Sequence, residues 1–544
     1  MINFRNYTSM TKCVIPDRAR LSTTNFANAF QNMTNLQYVK LPNTISSLNF
    51  AFSGCTNLIN AVCGSNVKTM TSAYNNCYNL KSAACGDNVT SMYAAYAFCN
   101  NLTTAVCGNN VTNMADAYYN CTNLTTAVCG EKVINMKGTY QRCSSLTTAV
   151  CGESVADFNN TYMDCVNLKT AVCGNNVTNM YRTYYNCRNL TAAACGKNVV
   201  SMRDTYQFCH SLNDAVCGDK VTSMYQTYDH CINLKNAVCG ANVIAMYYTY
   251  QNCTNLTTAI CGENVSTMYS TYRNCINLTT AICGSNVTHM EQTYMNCTNL
   301  KTAVCGNNVV VMSEAYKGCS NLTEAVCGNN VTNMYSTYAN CSSLKTPVCG
   351  DNVTTMSSTY LHCTNLTTAV CGVNVITMYY TYSNCRNLTT PVCGNNVTNM
   401  SGTYQNCTNL ILPVCGNNVT NMSGTYQNCT NLTTAVCGNN VVNMRNTYFN
   451  CKNINGNIYI YSPNINDIKN CFYNRNVSNV LNIYVLNEST SLTTMLYTNT
   501  LSLVGSTISW TDDLTANNRY YNTSHNIYIY PVTNVEAARV ANGD

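Results

Sequence analysis

Charged residues are scarce in this sequence. Lys, Arg, Asp and Glu make up 9% of its 544 residues, and the net charge is only +6. A nucleic-acid partner requires lysine and arginine clustered on one surface, so this thin, scattered charge argues against one. No apolar run approaches the ~18–20 residues that cross a bilayer, so the sequence predicts no membrane insertion. The polar surface must come from uncharged Asn, Thr, Ser and Tyr side chains.

Residues typical of catalytic and metal sites are also scarce. The sequence has no C-x-x-C motif and only five histidines, none of them at metal-ligand spacing. It has no Gly-rich phosphate loop, no Ser/His/Asp set and no G-x-S-x-G motif. We therefore predict a non-enzymatic protein without a metal and without a cofactor. One alternative stays open, because Asp204 and Asp229 lie on nearby repeats and glycosidases use two facing carboxylates about 5–9.5 Å apart.

Cysteine, in contrast, is abundant, and its positions reveal a repeat. One set runs from Cys55 to Cys451 and a second from Cys63 to Cys437, each with a spacing of 22 residues and no insertion or deletion. Self-similarity at a fixed period of this length is typical of a solenoid, in which each coil buries its apolar side by stacking on its neighbours. The sequence therefore predicts a repeat solenoid, mainly β, with short parallel strands at L-T-T-A-V-C and short helical or 3-10 turns at T-Y-x-N-C.

The first coil indicates which positions face the core, because it holds Leu and Phe where later coils hold Cys and Tyr. Leu41 corresponds to the second cysteine set, and Phe52 corresponds to the tyrosines from Tyr74 to Tyr448. Cysteine often serves as a small buried hydrophobe, although disulfides between stacked coils stay open. The tyrosines read as a stacked core ladder, with a sugar-stacking stripe as the alternative. In one representative coil the predicted core residues are Cys63, Val67, Met70, Tyr74, Cys77 and Leu80.

Two features of the repeat predict its turns. Gly64 and its equivalents in C-G-x-N are expected to adopt a backbone angle that other residues avoid. The asparagines before Val and before Cys are expected to form side-chain ladders that satisfy backbone groups.

The motifs resemble a known family. The segment L-P-N-T-I-S-S-L-N-F-A-F-S-G-C from Leu41 to Cys55 and the segment V-T-N-M-S-G-T-Y-Q-N-C-T-N-L from Val397 to Leu410 resemble the BspA-type leucine-rich repeat of bacterial surface proteins, over about residues 20–455. The repeat of this chain resembles a 22-residue, Cys- and Tyr-rich variant of the family repeat, with Ala, Cys and Gly where the family has Ile, Leu and Pro. The resemblance implies a right-handed leucine-rich-repeat coil, adhesion or ligand binding at a cell or virion surface, and no catalysis.

The residues that vary between coils are the candidate binding residues. They include the two positions after each Met, a stripe rich in Tyr, Arg, Gln and acids that suits hydrogen bonding to and stacking on a glycan or a protein. The alternative is an exposed turn under relaxed selection. The candidate ligand-binding residues are Arg182, Arg203, Asp204, Gln226, Tyr247 and Tyr248.

The chain is expected to have three parts. Residues 1–35 depart from the repeat spacing and predict an N-terminal cap coil, and residues 36–451 form the repeat array. Residues 452–544 contain N-I-Y segments that predict three alternating strands, in a Tyr-rich β cap or docking region.

The expected function is a binding or adhesion rod, most simply a phage tail fibre or virion surface protein that recognises a bacterial surface glycan or protein. A bacterial surface adhesin is the second possibility. Residues 1–7 show no secretory signal pattern, so we expect a place at a virion or cell surface without a recognisable signal peptide. From other classes, a structural filament or sheath component that assembles with itself or with other subunits stays open, as does a polysaccharide-degrading tailspike.

Overall fold

A computed structural model describes residues 3–486, 492, 494–495, 501–505, 510–513 and 519–544. The chain divides into two compact units, Met1–Leu278 and Thr279–Asp544, which are described separately. The boundary lies inside the segment predicted as one array.

In both units the chain is a repeat coil with a period of 22 residues. Two columns of parallel bridges join successive coils, for example Asn113 with Asn135 and Thr126 with Thr148 in the first unit. The solenoid prediction is therefore confirmed, but the predicted L-T-T-A-V-C strand is reduced in most coils to a single bridged residue. The first unit has two named strands, β1 (Lys12–Val14) and β2 (Tyr38–Lys40), which pair in parallel.

The tyrosine hydroxyl explains why the strand is so short. The Val106 N–H donates to the Tyr118 hydroxyl oxygen at 2.9 Å, and that hydroxyl donates to the Val106 carbonyl at 2.6 Å. The same pair of bonds joins Val62 and Tyr74 at 2.8 and 2.6 Å. Because a side chain of the same coil satisfies both backbone groups, this residue has no need of a partner strand.

The eight residues from Met to Cys, which end with the T-Y-x-N-C segment, form a pair of tight turns, and the predicted helical or 3-10 turn is wrong. The Ala73 N–H donates to the Met70 carbonyl at 3.0 Å, and the Cys77 N–H donates to the Tyr74 carbonyl at 3.1 Å. The third residue of each turn has a positive φ, 49° at Ser72 and 62° at Asn76, as in a type II turn. Each coil therefore turns twice within eight residues.

These turns also hold successive coils together. The N–H groups of Met70, Ser72, Tyr74 and Asn76 donate to carbonyls of the following coil at 2.7–3.1 Å. Every second peptide group of the turn segment thus points along the stack, and the segment takes over much of the inter-coil bonding that strands usually provide.

The glycine after each cysteine of the second set has a different role from the one predicted. Gly86 is absent from the positive-φ residues, so the predicted left-handed backbone at the Gly64 position and its equivalents is wrong. A Cβ atom on Gly86 would lie 2.7 Å from the Gly64 carbonyl oxygen and 3.3 Å from the Cys63 sulfur. Glycine is required here because neighbouring coils approach too closely for a side chain.

We expect Gly174→Ala to lower the free energy of unfolding by about 1–3 kcal/mol, as overpacking of a close contact does. Its Cβ would lie 2.5 Å from the Gly152 carbonyl oxygen. Gly130→Ala is the matched control, because its nearest neighbour is the Cys107 sulfur at 3.0 Å and the backbone oxygen lies at 3.5 Å. Urea unfolding of both variants tests this, and an equal loss in the two would contradict it.

The core consists of columns of identical side chains. Val67, Met70, Tyr74, Cys77 and Leu80 are fully buried. In the first unit neighbouring rings from Tyr74 to Tyr272 stack with centroids 5.2–5.7 Å apart. In the second unit the rings from Tyr294 to Tyr448 stack at 5.4–5.7 Å.

The two cysteine sets differ. All 39 cysteines are free thiols, so the disulfide alternative does not occur. The first set is buried, and each thiol in the array donates to a carbonyl of the preceding coil, as Cys99 does to Tyr74 at 3.2 Å. The second set, beginning at Cys63, lies half-buried at the margin of the core, except for Cys437, which is buried.

The C-terminal part of the second unit forms one sheet. Its strands are β3 (Gly456–Ile460), β4 (Leu481–Leu486), β5 (Thr511–Asp513), β6 (Arg519–Asn522) and β7 (Ile527–Val532), in the order β3-β4-β7-β6-β5. The three predicted N-I-Y segments form β3, β4 and β7, which are parallel. Helix α1 (Val535–Ala541) follows, and its N-cap is Asn534.

Candidate functional site: a tyrosine and arginine ladder on the turns of the first unit

The residue directly after Met is the second residue of the first turn and is not part of the core columns. In five consecutive coils of the first unit it is a planar side chain. We name these residues the turn ladder: Tyr181, Arg203, Tyr225, Tyr247 and Tyr269.

The turn ladder is a continuous row of neighbouring planar groups. The Arg203 guanidinium lies between two rings, 5.8 Å from the centroid of Tyr181 and 4.9 Å from that of Tyr225. The Tyr225 and Tyr247 centroids are 6.4 Å apart, as are those of Tyr247 and Tyr269, with tilts of about 45° between the rings. Tyr247 and Arg203 are exposed, and the other three are half-buried. The row therefore offers aromatic and cationic faces to a partner.

The second residue after Met has a left-handed backbone and forms a column beside the turn ladder. It is half-buried at Arg182, Gln226 and Tyr248. The Tyr248 ring meets Tyr269 edge to face at 5.2 Å and Tyr225 at 5.9 Å. This column supports the ladder from one side.

Asp204, also a candidate ligand-binding residue, occupies the same column, but its side chain is buried. It is only 1% exposed, and its Oδ2 lies 3.2 Å from Arg182 Nε and 3.9 Å from Arg203 Nε. Its carboxylate lies against the neighbouring coil, where it holds two arginines in place. Its Oδ1 has no hydrogen-bond partner among the residues that the structure describes. Asp204 is a positioning residue for the ladder.

A second buried carboxylate lies nearby. Asp229 is 3% exposed, and its Oδ1 lies 2.8 Å from His230 Nδ1 while Gln207 Nε2 donates to its Oδ2 at 2.9 Å. Burial raises the pKa of Asp229, and His230, Gln207 and Asn252 partly offset that rise. Because Asp204 and Asp229 are both buried, neither carboxylate faces a substrate as a glycosidase requires.

The sequence identified Arg182, Arg203, Gln226, Tyr247 and Tyr248 as candidates, and the structure brings these side chains to one face. It did not single out Tyr181, Tyr225 and Tyr269, although all three stand one residue after Met. Their position directly after Met was the sequence signal that could have identified these three tyrosines. Within the described part of the chain, no three His, Cys, Asp or Glu side chains are arranged to hold a metal.

Together, the bridged coils and the columns of buried side chains define a repeat solenoid. The family model described as "BspA type Leucine rich repeat region (6 copies)" matches residues 3–125, 115–235, 181–301, 224–342 and 291–411. The chain belongs to this family of BspA-type leucine-rich repeat proteins. A model described as "Mycoplasma protein of unknown function, DUF285" matches residues 399–502. The comparison with curated proteins finds no match.

Solved leucine-rich repeat structures show low similarity to this chain. A leucine-rich repeat protein from Bacteroides ovatus is 16% identical, over 74% of this chain and 86% of that one, with a TM-score of 0.27. A leucine rich cell surface protein from Faecalibacterium prausnitzii is 16% identical, over 58% and 87%, with a TM-score of 0.33. A leucine-rich repeat protein from Eubacterium ventriosum is 15% identical, over 59% and 92%, with a TM-score of 0.32.

Membership of the BspA-type leucine-rich repeat family indicates a general class of function. Leucine-rich repeat proteins are typically non-enzymatic scaffolds that bind proteins or other ligands, and the BspA-like members are typically found at cell surfaces. No catalytic family matches this chain. None of the helices in the described ranges is long and apolar enough to span a bilayer.

Proposed function

We propose that this chain is a non-enzymatic recognition protein displayed at the surface of a virion or a cell, and that the turn ladder binds its partner, a bacterial surface glycan or protein. The proposal rests on the five adjacent planar side chains of the ladder, in which the Arg203 guanidinium lies between two tyrosine rings. Tyrosine and arginine are the side chains that most often dominate binding energy at interfaces.

Asp204 orders one part of the ladder before any partner binds. Its buried carboxylate lies within 4 Å of Nε of both Arg182 and Arg203, which limits the freedom of the two guanidinium groups. A partner therefore meets an Arg203 side chain that has already lost some of its rotamer entropy, and this supports tighter binding.

A phage tail fibre is our more specific proposal for the protein's context. Its support is the amino-acid composition: charged residues are few and Asn, Thr and Tyr are abundant, which suits repeated contacts with a polar surface. A bacterial adhesin would use the same ladder in the same way.

The test is binding of the purified chain to a panel of bacterial cells and surface polysaccharides, with reducing ends measured in the same wells. We expect saturable binding without release of reducing ends. Tyr247→Ala and Arg203→Ala should each weaken binding about tenfold or more, the size of an interfacial hot spot.

Tyr335→Ala in the second unit is the matched control. Tyr335 also follows a Met and is 47% exposed, but Ser313 and Ser357 flank it in its column, so it belongs to no ladder. It should change affinity less than twofold. Equal effects of Tyr247→Ala and Tyr335→Ala would contradict a specific role of the ladder, and release of reducing ends would favour a depolymerase.

One observation favours a second function, assembly into a filament or sheath. An apolar column lies at the surface of the first unit, where Val150, Val172 and Ile260 are 37%, 50% and 39% exposed. Exposed apolar stripes favour association. Concentration-dependent light scattering without any binding to cells would support this function instead.

A further inference from the structure

A groove runs across the coils of the second unit, on a different part of the repeat from the turns after Met. Its volume is about 800 Å³. One wall consists of asparagines that precede the buried Val of each coil, and the other consists of the residues that follow that Val. We name it the Asn–Thr groove, and its lining is Asn330, Asn352, Asn374, Asn396, Val310, Thr332, Thr354, Ile376 and Thr398.

The asparagine wall is rigid. Each side-chain nitrogen donates to a carbonyl of the preceding coil: Asn330 to Asn307 at 2.9 Å, and Asn352 to Asn329 at 2.8 Å. Asn374 and Asn396 make the same bond at 2.8 and 2.9 Å. With the nitrogen held, each Oδ1 has a fixed position, and within the described ranges no group donates to these four oxygens. The wall is a row of oriented acceptors, one in each coil.

The hydroxyl groups of the opposite wall also point toward backbone carbonyls. The hydroxyls of Thr332, Thr354 and Thr398 donate to carbonyls of the preceding coil at 3.2–3.4 Å. Their remaining lone pairs can only accept. The apolar atoms of this wall are the threonine methyls with Ile376 and Val310, which are 50% and 36% exposed.

In the first unit, lysines of the chain itself donate to two of the equivalent acceptors. The same two columns form a shorter groove there, of about 470 Å³, in which Lys220 replaces an asparagine. The Lys220 ammonium donates to Asn198 Oδ1 at 2.7 Å, and Lys132 donates to Asn110 Oδ1 at 2.6 Å. A lysine in this column thus supplies, from the protein itself, a donor to the oxygen that is left open in the second unit.

A ligand of the Asn–Thr groove must provide many donors, and a charged ligand would find no side chain of opposite charge among the residues that line the groove in the second unit. Coils stack about 4.8 Å apart, so the acceptors recur at about the advance of one sugar ring along a chain. An extended peptide fits less well, because its edge alternates N–H and C=O groups and the C=O groups would find no donor. A polysaccharide hydroxyl can donate to the wall and accept from water.

We propose that the Asn–Thr groove is a second binding site, for an uncharged linear polysaccharide whose hydroxyl groups donate to the row of asparagine oxygens. The site is independent of the turn ladder. The proposal for the Asn–Thr groove is the same whether the turn ladder binds a glycan or a protein.

The chain itself suggests a blocking variant. Asn352→Lys should place an ammonium on Asn330 Oδ1, as Lys220 does on Asn198, and the repeat already accommodates lysine in this column. Thr367→Lys is the matched control. It adds the same charge at the position after Leu, where Lys345 stands one coil earlier.

Calorimetric titration of the full chain with dextran, mannan and linear β-glucan oligosaccharides of two to eight sugars tests the proposal. We expect at least one series to bind, with affinity rising with length up to about four or more sugars, since the groove crosses at least four coils. Asn352→Lys should lower that affinity tenfold or more, while Thr367→Lys and Tyr247→Ala leave it within twofold.

Three outcomes would overturn the proposal. One is the absence of binding by every uncharged oligosaccharide, and another is an unchanged affinity in Asn352→Lys. The third is stronger binding of chitosan or of an extended uncharged peptide, which would assign the groove to an amine-bearing polymer or to a polypeptide. Loss of binding in Tyr247→Ala alone would instead assign the glycan to the turn ladder.

Discussion

Raising the pH above about 9 is expected to unfold this protein cooperatively. Burial raises the pKa of the Tyr228 hydroxyl well above its usual value of 10 and that of the Cys231 thiol well above 9. Burial also raises the pKa of the half-buried thiols, to about 11 at Cys63 and about 12 at Cys85. The same shifts recur in coil after coil, because the columns are identical.

The sign follows from which state holds the protons. Above pH 9 for cysteine and pH 10 for tyrosine, the unfolded chain loses protons that the folded chain retains, so the free energy of unfolding falls as pH rises. Each such group lowers it by about 1.4 kcal/mol per pH unit. Ten groups lower it by about 14 kcal/mol per pH unit, which matches the whole stability of an ordinary domain.

Circular dichroism and tyrosinate absorbance followed together from pH 7 to 11, with a thiol reductant present, provide the measurement. We expect both signals to change in one steep transition. A gradual tyrosinate titration near pH 10 with unchanged dichroism would contradict the prediction. Return to pH 7 is the control, and recovery of the signal would exclude chemical damage as the cause.

Tyr360→Phe is expected to lower the free energy of unfolding by about 1–3 kcal/mol although the ring stays in place. The Tyr360 ring stacks on Tyr338 and Tyr382 at 5.7 and 5.4 Å, and phenylalanine retains both contacts. Its hydroxyl accepts from the Val348 N–H at 2.8 Å and donates to the Val348 carbonyl at 2.5 Å. The substitution leaves both backbone groups without that partner.

Hydrogen exchange at the Val348 amide is the most direct measurement, because it reports on the coil itself. We expect faster exchange there and little change several coils away. Tyr335→Phe, which removes an exposed hydroxyl in the same unit, should change neither exchange nor stability. Unaltered protection of Val348 in Tyr360→Phe would show that the hydroxyl is dispensable. Tyr360→Ala should cost about 3–5 kcal/mol, because it also removes the stacked ring.

The tyrosine column shows which structural features could be predicted from the sequence. Phe52 in the first coil indicated that Tyr74 and its equivalents face the core, and all of these rings are buried. Nothing in the sequence explained why tyrosine replaces phenylalanine, apart from a hydroxyl that needs a partner. That reason is a bond to a backbone residue 12 positions earlier in the chain, and it depends on how the coil closes.

The turns were harder to predict. Asparagine at positions such as Asn76 is compatible with a left-handed backbone, but Arg182, Asp204 and Tyr248 adopt the same backbone without any sequence signal for it. The burial of Asp204 was equally hidden from the sequence. Variation between coils made Asp204 a candidate binding residue but did not reveal that its carboxylate lies buried against Arg182 of the neighbouring coil.

The 22-residue period by itself determined which residues share a column, and therefore the solenoid, its core and the family. The period does not, however, determine the distance between neighbouring coils. Only the tertiary structure showed that Gly64 and Gly86 approach too closely for a side chain, that tyrosine hydroxyls replace a partner strand, and that asparagine nitrogens hold a row of open oxygens. These features depend on hydrogen bonds and contacts a few ångströms long between neighbouring segments, and the order of residues along the chain does not specify such distances.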